Sequence, residues 1–266
     1  MAAPVVEASP AVRVRSNLEE LGMDRMAELA GEHMSLVAAG SKTYAESLLE
    51  LTGAQVAAVR ERDLWRRVQK ANFPYVKTLA DFDFSFQPSL SRPVVEDLAT
   101  MGFLERGENV VLVGSPGVGK THIAVSLGVE AVRCRKLTYF ADCQRLVDDL
   151  KRAAAKGQLE RRMRFYAHLS LLILDELGYL GIDKEGADLL FQLVSRRYER
   201  RSTIVTTNVG IGAWAQVFGD PVTASAIADR VCHHCHVIRI TGRSYRMKDI
   251  LPDLPARGRR DAENGE

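Results

Sequence analysis

The stretch Gly114-Ser115-Pro116-Gly117-Val118-Gly119-Lys120-Thr121 carries the reading of the fold. Its spacing, G-x-x-x-x-G-K-T, is that of a phosphate-binding loop. Glycines let a backbone curl until several N–H groups point at one phosphate. The lysine reaches terminal phosphates as a point charge, and the threonine offers a hydroxyl to Mg²⁺. The flanks agree with this chemistry. Val110-Val111-Leu112-Val113 is an apolar strand pattern, and Ile123, Ala124, Val125 and Leu127 follow at helical spacing. The loop and His122 therefore open a helix whose N-terminus favours an anion, and all of 114–122 are candidate nucleotide contacts.

Outward from the loop, short apolar strands alternate with helices. Strands are expected at 109–113, 137–141, 171–174 and 203–206, and helices at 120–134 and 185–200, with Asp142 able to cap a helix after the second strand. Such alternation predicts an α/β fold, a parallel sheet with helices on both faces. Ligands in these sheets bind at the carboxyl ends of the strands. There Leu171-Leu172-Ile173-Leu174 ends in Asp175-Glu176. Asp175 is expected to hold Mg²⁺, directly or through water, and Glu176 to polarise an attacking water. Thr203-Ile204-Val205-Thr206-Thr207 ends in Asn208, which can bond the terminal phosphate or that water. The acid pair is more typical of hydrolysing ATPases than of small-molecule kinases, so ATP and Mg²⁺ are the expected cofactors.

The 266 residues allow one large domain, or one with a small appendage. With 36 basic and 34 acidic side chains the net charge is +2, which excludes a strongly basic DNA-coating protein but not a local basic patch. Four cysteines are too few for a disulfide scaffold and point to a reducing cytosol. No secretory signal is visible, and no apolar run approaches the ~18 residues of a membrane helix. Residues 1–16 read as a flexible leader and 17–70 as a small all-helical N-terminal domain, split near Gly40-Ser41 with Ser41 or Thr43 as cap. Residues 71–108 read as a linker and start of the core, 109–250 as the ATPase domain and 251–266 as a disordered tail. Phe82, Phe84 and Phe86, at period two, suggest an extended strip packing on the core.

These motifs, with Asp175-Glu176-Leu177-Gly178-Tyr179-Leu180, Thr206-Thr207-Asn208, Asp229-Arg230-Val231-Cys232-His233-His234 and Ser244-Tyr245-Arg246, resemble the P-loop AAA+ ATPases of the DnaC/IstB group. Phe73-Pro74-Tyr75, Asp81-Phe82-Asp83-Phe84 and Glu105-Arg106-Gly107-Glu108-Asn109 narrow the resemblance to the IstB-like branch, ATP-dependent helpers of insertion-sequence transposases. The resemblance spans about 17–248. It implies that Arg230 is an arginine finger reaching the γ-phosphate of a neighbouring subunit, and that Arg246 is a second sensor arginine touching nucleotide within its own subunit. It implies a homo-oligomer, ring or spiral, on duplex DNA, with a transposase as partner in target selection and transposition. From the cysteine count and the lack of a long apolar run, a cytoplasmic protein without a membrane partner is expected. A DnaC-like helicase loader acting with single-stranded DNA is the alternative. Little chain follows Arg246, so the helical lid of larger relatives is expected to be missing or vestigial.

Two further signals carry less. Cys232-His233-His234-Cys235-His236 has zinc-ligand types, but all lie in one short run and no second ligand cluster lies elsewhere, so a zinc centre is not expected. Basic runs place Arg161, Arg162, Arg164, Arg196 and Arg197 on helices. Alone, such runs are solvated faces. Repeated around an assembly, they would supply sequence-independent contacts to DNA phosphates.

Overall fold

The computed structural model describes residues 9–245; Arg246, the tail over 251–266 and the first eight residues lie outside the described residues. The chain divides into two units, Met1–Arg67 and Val68–Glu266. In the first, Ser9 Oγ accepts from Val12 N and Pro10 supplies the first helical position, so α1 (Pro10–Glu20) starts here. This corrects the expected flexible leader over 1–16: residues 10–16 are helical. After α2 (Asp24–Ala38) the chain turns at Gly40 and enters α3 (Tyr44–Lys70). Thr43 is the cap. Its Oγ1 accepts from Glu46 N at 3.3 Å while Thr43 N donates to Glu46 Oε2 at 2.9 Å, a reciprocal capping box. Ala27, Ala30 and Leu51 are buried, and His33 Nδ1 shares a 2.9 Å hydrogen bond with Ser47 Oγ.

The second unit is built on five parallel strands: β1 (Asn109–Gly114), β2 (Thr138–Asp142), β3 (Leu171–Leu177), β4 (Ser202–Thr207) and β5 (Cys235–Ile240), in spatial order β2-β3-β4-β1-β5. Successive side chains on a strand face opposite ways. Val110, Leu112, Leu171, Ile173 and Ile204 enter one core, and Val111, Leu172, Leu174 and Val205 the other. Both faces are covered, which is why these strands read as continuous apolar runs. The first core is closed by α4 (Arg92–Ala99), α5 (Gly102–Glu105) and α6 (Lys120–Arg133). The second is closed by α7 (Cys143–Ala155), α8 (Leu159–His168), α9 (Lys184–Arg197), α10 (Trp214–Phe218) and α11 (Pro221–Cys232). Asp142 caps α7, its Oδ1 accepting from Arg145 N at 2.9 Å. Among the described residues no helix is long and apolar enough to cross a membrane.

Three expectations change. The segment over 71–108 is part of the second unit: Phe82, Leu90, Val95, Leu98, Met101 and Phe103 are buried with β1. The phenylalanines do not form an extended strip. Asp81 Oδ2 accepts from Thr78 N and Asp83 Oδ1 from Ser85 N, and these bonds wind the chain into two 3-10 turns, Leu79–Asp81 and Phe84–Phe86. Finally, α9 stops at Arg197, short of the expected end at 200, and Arg197 turns inward. Its guanidinium donates to Tyr166 O at 2.7 Å, Leu169 O at 2.9 Å, Ser202 O at 2.5 Å and Thr203 Oγ1 at 3.1 Å, and the residue is 2% exposed. Arg197 is therefore no DNA contact; it satisfies carbonyls where α8, α9 and β4 meet.

Glu108 fastens β5 to the approach of β1. Arg106 Nε donates to its Oε1 at 2.9 Å and His236 Nε2 to its Oε2 at 2.9 Å. Arg106 first, then His236, hold its carboxyl at about 2, against an ordinary 4.5. A depressed carboxylate stabilises the fold above its unfolded pKa and loses that contribution as pH falls through the folded one. Denaturant unfolding across pH 4.5 to 2 should therefore show wild type losing more stability than Glu108→Gln. Equal losses would contradict this role.

Candidate nucleotide-binding site

The loop leaving β1 needs glycine at two points. Gly117 and Gly119 have φ of +85° and +103°. A Cβ on Gly119 would stand 2.7 Å from the Phe82 ring, and one on Gly117 2.3 Å from Ser244 Oγ. Val118, 1% exposed, anchors the loop in the core below. Lys120 Nζ donates to Gly114 O at 2.7 Å and Ser115 O at 2.9 Å, so the lysine already lies along the loop's inner edge. A cleft of about 460 Å³ opens here, within the usual size of ligand sites, roughly 300–1,000 Å³. It gathers Pro116, Gly117, Gly119, Lys120, Thr121, His122, Glu176 and Asn208 from the sequence-derived set. His122 keeps its ring nitrogen for the protein: Nε2 donates to Thr78 O at 3.1 Å, and burial holds its pKa below the ordinary value.

Asp175 is the buried centre of the site. It does not stand beyond the strand end, because β3 runs on to Leu177 and Asp175 pairs in register with Asp142. Thr121 Oγ1 lies 3.0 and 3.1 Å from its two oxygens, and Thr206 Oγ1 donates to Oδ1 at 2.5 Å. Burial raises its pKa, while the bonds from Thr206 and Thr121 pull it down. The ladder between β3 and β4 slips between Leu174 and Leu177. Within that slip Glu176 takes φ of +62°, and its N–H donates to Thr206 Oγ1 at 2.9 Å. The slip leaves Asp175 buried and Glu176 exposed to the cleft.

Five lining residues were not singled out from sequence: Tyr75, Lys77, Tyr179, Thr206 and Tyr245. All but Lys77 lie inside motifs carrying the family resemblance, but nothing local gives them a place at the nucleotide. Tyr245 N donates to Gly117 O at 2.7 Å, and Tyr245 OH accepts from Asp83 N at 2.8 Å. Arg230 is not among the lining residues. It lies 4.7 Å from the Phe191 ring centroid and donates to Ala226 O at 3.0 Å. Among the basic candidates, Arg162 is paired with Asp149, Arg196 makes a bidentate pair with Glu160 at 2.9 and 2.8 Å, and Arg164 lies 3.5 Å from the same Glu160. Arg161 donates to Gln158 on the exposed face of α8.

A parallel sheet with a phosphate loop after β1, an acid pair on β3 and a polar end to β4 defines a P-loop nucleotide-binding protein of the AAA+ type. Solved structures share this fold. The DnaC helicase loader aligns with a TM-score of 0.51 at 23% identity, over 65% of this chain and 98% of that one. DnaI aligns with a TM-score of 0.52 at 22% identity, over 64% and 90%. The chain belongs to the family of IstB-like ATP binding proteins, whose pattern matches residues 16–251. A Bacillus thuringiensis subsp. berliner protein named for ATP binding in insertion sequence IS232 is 43% identical over 237 residues, 89% of this chain and 95% of that protein. A Pseudomonas aeruginosa protein named likewise for insertion sequence IS21 is 41% identical over 232 residues, 87% and 88%.

Because one hydroxyl serves both acids, Thr206→Val removes a bond to Asp175 and leaves the Glu176 N–H without its partner. Unfolding free energy should fall by about 1–3 kcal/mol. Thr206→Ser should retain most of it. Chemical denaturation of the three proteins checks this, and a valine variant as stable as wild type would refute it.

Proposed function

We propose that the chain is an ATP hydrolase that assembles on duplex DNA and assists a transposase in target selection and transposition. The observation that carries the reading is the buried Asp175 carboxylate held between Thr121 and Thr206, with Lys120 and Glu176 in the same cleft. Hydroxyl and carboxylate oxygens suit a hard divalent cation, which offsets the cost of keeping a buried acid charged. Asp175 and the Thr121 hydroxyl would hold Mg²⁺ here, and the ion would supply positive charge to offset that of the bound phosphates. Lys120 exchanges its bonds to Gly114 O and Ser115 O for phosphate oxygens, and the loop N–H groups cradle the phosphates. Glu176 orients the attacking water and accepts its proton. Asn208 hydrogen-bonds the γ-phosphate or that water.

Arg230 lies against Phe191 and the Ala226 carbonyl and does not line its own cleft; the role proposed for it, toward the γ-phosphate held by a neighbouring copy and so a ring or spiral, rests on the family resemblance. Arg246 directly follows Tyr245, whose backbone bonds the phosphate loop, and the same-subunit sensor role is proposed for it on that ground. DNA contact is proposed for Arg161, Arg162, Arg164 and Arg196. For Arg161 and Arg162 a cleft of about 560 Å³ supports this, lined also by Arg152, Lys156 and the one acid Asp149. The insertion-sequence relatives support a transposase as partner.

Phosphate release and light scattering on duplex and single-stranded DNA test the reading. Lys120→Ala should lose ATP binding and assembly together. Glu176→Gln should bind ATP, persist on duplex and turn over about 10²–10⁴-fold more slowly. Arg230→Ala should lose about 10³-fold, and adding Glu176→Gln subunits, which still assemble and carry an intact Arg230, should recover part of the rate. No recovery would overturn action between subunits. Assembly on single strands alone would favour the helicase-loader alternative. Arg161→Ala with Arg164→Ala should lower the salt dependence of DNA binding by about one unit of slope per lost phosphate contact.

A further inference from the structure

Outside the nucleotide cleft, the second unit gathers two histidines and a glutamate at one surface point. Helix α11 ends at Cys232, with His233 as its cap, so the side chains of His233 and His234 leave the helix end together. Their ring centroids are 4.1 Å apart. Glu199 comes from the turn after α9, in a left-handed conformation with φ of +56°. His233 Nδ1 lies 3.5 Å from Glu199 Oε1, and His234 Nε2 lies 3.6 Å from the same oxygen. One donor atom from each of the three lies within 4.8 Å of the others.

Those separations have a chemical meaning. Ligands about 2.1 Å from a tetrahedral metal stand about 3.4 Å from one another, so two edges of a coordination polyhedron are nearly formed. Two imidazoles and one carboxylate select a borderline transition-metal dication over Mg²⁺ or Ca²⁺. We propose that Glu199, His233 and His234 form a surface site for Zn²⁺ or a similar divalent d-block ion, with water or the Tyr198 hydroxyl completing its coordination. Tyr198 OH shares a 2.7 Å hydrogen bond with His233 Nδ1 and stands at the edge of the site. The three side chains are 51%, 49% and 55% exposed, so an ion reaches them directly. The neighbouring candidates are otherwise engaged. His236 donates to Glu108, and the free Cys232 and Cys235 thiols share a hydrogen bond. An ion here would tie the turn after α9 to the end of α11, the helix that carries Arg230.

The site is independent of nucleotide, and its test can be too. Untagged full-length protein is stripped with chelator, returned to excess Mg²⁺ without ATP, and titrated with Co²⁺ followed by Zn²⁺. One Co²⁺ per chain should bind, with visible tetrahedral bands and no near-ultraviolet thiolate band, and Zn²⁺ should displace it. His234→Ala and Glu199→Gln should each weaken binding by about tenfold or more, a scale that even outer-shell partners reach. Wild type that binds no Co²⁺ would overturn the proposal. So would variants that bind as tightly as wild type, or a thiolate band assigning the ion to the cysteines.

Discussion

The site depends on keeping one carboxylate buried. Asp175 sits inside a parallel sheet, at a strand position where water cannot solvate it, and a buried anion without donors is costly. Its donors come from two different elements: Thr121 at the start of α6 and Thr206 on β4. The acid is therefore correctly surrounded only when β3, β4 and the loop–helix junction are all in place. The Thr206 hydroxyl also accepts the Glu176 N–H, so the backbone of the second acid is held by the group that satisfies the first. At the slip in the ladder the two adjacent acids face opposite environments, Asp175 the sheet interior and Glu176 the open cleft.

The phosphate loop is held from below by segments far from it in the chain. Phe82 stacks on Tyr245 with centroids 5.0 Å apart and rings 14° from parallel, and meets His122 edge-on at 5.1 Å. Tyr245 bonds Gly117 O through its backbone and Asp83 N through its hydroxyl. Left-handed glycines give the loop its curve but leave it little intrinsic stiffness. The aromatic clamp supplies stiffness from outside, which lowers the ordering cost of binding a polyphosphate. This is why the stretch before β1, which reads as a linker, folds as part of the second unit.

Charge runs prove the least transparent part of the chain. Arg196 and Arg197 are neighbours, yet Arg196 pairs with Glu160 at the surface while Arg197 is enclosed. Burial, with some repulsion from Arg201, pulls the Arg197 guanidinium down to about 9, and it is held by the carbonyls that need its donors. Composition cannot separate these roles, because a guanidinium serves equally as a phosphate contact and as a cap for orphaned carbonyls.

From sequence alone, the loop over 114–121, the acid pair, Asn208 and the alternation of strands and helices were legible, since each is a local pattern with a fixed spacing or period. Four strand positions and the Asp142 cap followed from the same local rules. The Thr43 cap was one of two possibilities until the reciprocal bond with Glu46 appeared. Tertiary structure alone decided the strand order β2-β3-β4-β1-β5, the ladder slip at Glu176, the inward turn of Arg197 and the Thr206 bridge to an acid 31 residues away. It alone brought Glu199 to His233 and His234. The reason is the same in each case. Spacing along the chain encodes which face a residue takes within its own element, whereas the partner of a buried polar group is set by which distant elements the closed sheet and its packed helices bring to it.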